Sequence, residues 1–323
     1  MRGPETLIFS VDAALEIFDA ESDRGAYALK GAFGISYGVA DGSNMGFSDR
    51  VVVLLPPAAA SSVGLIFLED RPLKEIRQNP TLATPNKDFD AVVLEIPWKG
   101  VLKTKEGEEE GVALCVGIDR GWLERIDEAL RKETHSEIKK VVPAEMVYQN
   151  YLSKKLSFYD LPLAVVDFSP HMLLAILFAD LEGNLIPISS LVLEEKGFIE
   201  QLRGIPEVSG IEMNDYMGMW EATKAYAPHR VDSLLKKMAM DIHNAAISVY
   251  NGARNKLETA GVEVGEGLSQ RPRVLLSGIP VEDSDLGQRL RDSVRSAYGN
   301  VEVMGDLAGV PSLFHRCFMA LKG

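Results

Sequence analysis

The chain has 323 residues, enough for two ordinary domains or one large bilobal one. Apolar residues make up 46% and charged residues 25%, the balance of a water-soluble globular protein. A formal net charge of -13, with no basic cluster, argues against nucleic-acid binding and against direct docking on an anionic membrane. Cys115 and Cys317 stand alone and the five histidines are scattered, so neither a disulfide framework nor a thiolate or histidine metal site is expected. That pattern suits a reducing cytosol. The first residues lack a basic stretch followed by a long apolar run, so no secretory signal is expected. The longest apolar run, 172–179, is far shorter than the roughly 20 residues that a membrane helix needs.

Along the chain, residues 7–19 read as a hairpin or a pair of strands, and residues 26–39 continue with small, β-compatible residues. Residues 51–55 (VVVLL), stopped by Pro56 and Pro57, have the pattern of a strand buried on both faces. Another strand is expected at 63–68, then a short helix at 72–78, a strand at 91–96, a charged hairpin loop at 99–111 and a buried strand at 112–118. Asp119 caps a helix over 120–132, and a strand at 138–142 closes a β-β-α-β module. A helix follows from Pro143 to residue 156, proline being suited to the first turn.

Strands at 163–167 and 172–178, a turn at 180–184 (DLEGN) and a strand at 185–193 form a meander. After a short helix at 198–202, Met213, Met217 and Met219 with Tyr216 and Trp220 form either an adaptable partner surface or ordinary core. The longest helix spans 231–257, with Leu234, Leu235, Met238, Ile242, Ala245 and Val249 in one stripe at helical spacing. A buried strand at 273–276, a helix at 285–297, a strand at 301–304 and a helix at 311–321 complete the chain. The meander-then-helix order recurs in each half, which predicts a bilobal α/β fold.

Several of these segments resemble a known family when taken together. They are VVVLLP at 51–56, the module after it, LAVVDFSPHMLLAILF at 163–178, MAMDIHNAAISVYNGARNK at 238–256 and VLLSG at 274–278. In that order they resemble the actin/Hsp70/hexokinase-type ATPase fold in its PilM and GspL branch. These are the actin-like proteins of type IV pilus assembly and of type II secretion. The resemblance implies duplicated RNase H-like lobes with an inserted ferredoxin-like subdomain. Lobe I would begin at 1–70, the inserted subdomain would occupy 71–142, and a helix over 143–162 would return to lobe I. Lobe II would take 163–306, and a C-terminal helix over 307–323 would return to lobe I.

The same resemblance implies a nucleotide cleft for ATP with Mg, to which Asp12, Asp167, Ser169 and Gly278 correspond. In such folds an aspartate holds a magnesium-bound water and glycine lets backbone N–H groups approach phosphate. This chain departs at each place. The first hairpin reads Asp12-Ala13-Ala14, the second Asp167-Phe168-Ser169-Pro170, and the third turn Gly278-Ile279-Pro280. Phe168 brings bulk where glycine is wanted, and Pro170 removes an N–H donor. A degenerate cleft without hydrolysis is therefore expected. The competing reading of each residue is local: an aspartate or serine bonding its own turn, and a glycine permitting one.

The implied role is a cytoplasmic scaffold, peripheral at the inner membrane through its partners, linking membrane components to a motor ATPase. The implied partner is the N-terminal cytoplasmic peptide of a PilN-like membrane protein. Its groove would be lined by Leu94, Ile96 and Trp98 on one side and by Val142 and Tyr148 on the other. Trp98 could instead cover the module's own core. The alternative function is an ATP-dependent sugar-type kinase of the same superfamily, which would need intact phosphate loops and a catalytic base.

Overall fold

The computed structural model describes residues 6–10, 29–30, 36–37, 50–55, 61–68, 74, 91–120, 124, 138–153, 161–168, 173–193, 196–208, 216–262, 268, 270–277, 284–298 and 301–303. The chain divides into two compact units, Met1–Tyr148 and Gln149–Gly323. The expected helices at 72–78, 120–132 and 311–321 lie largely or wholly outside the described residues.

In the first unit, β1 (Thr6–Ser10) runs parallel to β4 (Arg50–Leu55), which in turn runs parallel to β8 (Ile138–Pro143). The short strands β2 (Leu29–Lys30) and β3 (Ser36–Tyr37) add antiparallel on the other side, giving the order β2-β3-β1-β4-β8. A separate antiparallel sheet of order β5-β7-β6 is built from β5 (Ser61–Phe67), β6 (Ala91–Lys103) and β7 (Glu109–Asp119).

Two strand placements differ from expectation. The strand expected to close the inserted module, 138–142, pairs instead with β4, where Leu54 faces Val142. The strand at 63–68, expected with the preceding strands, joins β7 through pairs such as Leu65 with Leu114. Both are short strands with distant partners, and nothing local in such a run names its neighbour. The charged loop expected at 99–111 is mostly strand. Only Thr104 to Glu108 turn, with Gly107 at φ +83 and the Glu108 N–H donating to Thr104 Oγ1 at 3.1 Å.

β7 runs through the middle of its sheet with Val112, Ala113, Leu114, Cys115 and Val116 all at most 3% exposed. Leu65 and Trp98 both pair with Leu114, while Ile66 and Leu68 pack with Ala113 and Cys115. Alternation along the strands thus feeds two apolar faces. Cys115 behaves as a small buried hydrophobe.

The second unit follows the expected plan. β9 (Leu163–Phe168), β10 (Leu173–Leu181) and β11 (Asn184–Leu193) form an antiparallel meander. β12 (Arg273–Ser277) adds parallel to β9, and β13 (Val301–Val303) parallel to β12, in the order β11-β10-β9-β12-β13. The β10–β11 turn uses Glu182 at φ 53 and Gly183 at φ +77, and Asp180 Oδ1 accepts the Gly183 N–H at 2.7 Å. Two successive left-handed residues give the hairpin turn whose twist matches its strands.

The described α-helices with both ends placed are α1 (Ala144–Leu152), α2 (Phe198–Arg203), α3 (Tyr216–Tyr226), α4 (Pro228–Thr259) and α5 (Ser284–Tyr298). The long helix α4 starts on Pro228 and buries the expected stripe, with Met238 and Ile242 fully enclosed, against β9, β10, β11 and α5. Each such side chain contributes about 1.5–3 kcal/mol by leaving water. Tyr250 is buried yet satisfied, its hydroxyl donating to the Leu268 carbonyl at 2.7 Å. The fold is α/β. Each unit holds a mixed sheet in which a central strand pairs antiparallel on one side and parallel on the other.

Candidate functional site

In the second unit β9 and β12 run parallel and end side by side. Asp167 at the carboxyl end of β9 stands in register with Ser277 at the end of β12. Asp167 is 7% exposed and Ser277 is fully buried. The carboxyl ends of parallel strands are where open α/β sheets place ligand-binding groups, because the following turns splay apart there. Ser277 was not among the residues selected from sequence. The run Arg273–Ser277 marked a strand, but only the pairing with β9 puts its last hydroxyl beside Asp167.

Asp12, Ser169 and Gly278 lie outside the described residues; the described part of β1 ends at Ser10. Among the four nucleotide-site residues, then, Asp167 is the one the structure places. No group of three or more histidine, cysteine or acidic side chains that could hold a metal occurs among the described residues.

Phe168 corrects the sequence reading. Its ring was expected to crowd the turn, yet it is fully buried, edge-on to Phe198 of α2 with centroids 5.9 Å apart and planes at 78°. Successive strand residues point to opposite faces, so Phe168 projects away from the side that Asp167 takes. Its effect on the turn is to anchor the strand end in the core. Phe198 in turn lies against Trp220 of α3, with centroids 6.4 Å apart. Trp220 and Met219 are buried, which assigns these two members of the Met- and aromatic-rich segment to core.

The outer side of this aromatic column carries charge. Lys224 Nζ lies 5.7 Å from the Trp220 ring centroid and pairs with Glu221 at 2.7 Å and with Asp285 of α5 at 3.2 Å. Arg289 Nε also donates to Asp285, at 3.1 Å. The hydrogen bond to Glu221 is the main cause that raises the Lys224 pKa, against a smaller opposing effect of burial. The hydrogen bond from Lys224 is the main cause that holds the Asp285 carboxyl below its ordinary value.

The proposed partner-binding residues fall on several elements. Trp98 on β6 is 9% exposed and stands in register with Leu114 of β7. Leu94 and Ile96 lie in the irregular part of β6, where register shifts occur between Val93 and Glu95 and between Glu95 and Trp98. Pro97 within that stretch has no N–H to give a ladder, which accounts for a break there. Val142 belongs to β8 and pairs with Leu54. Tyr148 on α1 is 2% exposed, so a ligand would reach it only after what covers it moved.

No protein-family model matches the chain, and no curated protein matches it. Among solved structures it is similar to a PilM-PilN type IV pilus biogenesis complex at 16% identity. That likeness covers 98% of this chain and 98% of the other, with a TM-score of 0.47. It is also similar to a protein of actin-like ATPase fold and unknown function from Bacteroides thetaiotaomicron VPI-5482. There the identity is 10%, the coverage 98% and 95%, and the TM-score 0.42. A pCBH ParM non-polymerisable quadruple mutant is similar at 10% identity over 99% and 98%, with a TM-score of 0.44. The strand orders, rather than these likenesses, carry the description of the fold.

Proposed function

We propose that the chain is a cytoplasmic scaffold that links inner-membrane components to the motor ATPase of a type IV pilus or type II secretion system, and that it does so without hydrolysing nucleotide. One observation carries the reading: at the end of β9 the residue after Asp167 is a phenylalanine locked into the core against Phe198. A phosphate-gripping turn needs backbone amides free to turn toward the ligand. Here the strand end is pinned by an aromatic ring, and Pro170 supplies no amide. Asp167 and Ser277 remain as polar groups at the strand ends, able to bond their own turns or a weakly held Mg-ATP.

In this reading the partner is the N-terminal cytoplasmic peptide of a PilN-like inner-membrane protein. The chain itself stays peripheral to the membrane, and among the described residues no helix is long and apolar enough to cross one. The test is calorimetric titration with Mg-ATP, repeated with the N-terminal cytoplasmic peptide of a PilN-like membrane protein. Peptide binding without nucleotide, together with no turnover, is the expected result. Tight Mg-ATP binding with phosphate release would overturn the proposal.

A further inference from the structure

We draw no further inference here: the strongest candidate, the outer edge of β11 in the second unit, where residues 188–193 (ISSLVL) end the sheet among the described residues without a lysine or proline to blunt pairing, carries nothing because nothing in the structure shows what covers it.

Discussion

Replacing Phe168 by alanine tests whether its ring belongs to the core or to the turn. The side chain is fully buried and meets Phe198 edge-on at 5.9 Å. A buried phenylalanine cut to alanine costs about 3–5 kcal/mol through lost transfer energy and the cavity left behind. The specific ring pairing accounts for about 0.5–1.5 kcal/mol of coupling. Urea unfolding of Phe168→Ala, Phe198→Ala and the double variant, followed by near-ultraviolet circular dichroism, measures both quantities. With a slope of about 1–3 kcal/mol per molar, the larger loss moves the midpoint by about 1 M or more. The double variant should lose less than the sum of the singles. A Phe168→Ala loss below about 1 kcal/mol would refute the reasoning. It would mean that the ring had not been holding the sheet.

Gly183→Ala should destabilise the β10–β11 hairpin by about 1–2 kcal/mol in thermal unfolding. The cost comes from the φ of +77, since a Cβ there meets nothing within 4 Å. Tyr250→Phe keeps the ring but strands the buried Leu268 carbonyl, and should cost about 1–3 kcal/mol in the same assay; an unchanged midpoint would show that water reaches that carbonyl. The Lys224–Asp285 pair gives a signed pH dependence. The depressed Asp285 pKa means a contribution present above the ordinary carboxylate value of about 3.9 and lost as pH falls through the folded value. The raised Lys224 pKa means a contribution present below about 10.4 and lost as pH rises through its folded value. Lys224→Met should therefore move the Asp285 carboxyl titration, read by nuclear magnetic resonance, upward toward its ordinary value. No movement would show that Arg289 alone sets it.

Local pattern made much of the fold legible. The stripe on α4 needed only 3.6-residue spacing, and Met238, Ile242, Ala245 and Val249 are all buried where it put them. The β9–β10–β11 meander was readable because DLEGN at 180–184 supplies an Asp and a Gly suited to a tight turn between apolar runs. The length of β6 was not readable. Lys99, Val101 and Lys103 are exposed on a strand whose partner, β7, carries the burial. A run rich in lysine and glutamate looks like a loop unless its pairing is known.

What the sequence determined by itself was periodicity and punctuation: which stretches alternate, which repeat at helical spacing, and where glycine, proline and aspartate turn the chain. These are properties of neighbours within a few residues, and φ/ψ preferences and side-chain spacing encode them directly. Tertiary structure alone decided that 138–143 pairs with β4 and 61–67 with β7, and that Ser277 stands beside Asp167. It also decided that Phe168 meets Phe198, 30 residues on. Each of these is a contact between segments far apart in the chain, chosen by which apolar surfaces exclude water best when they meet. No short window of sequence holds both halves of such a choice.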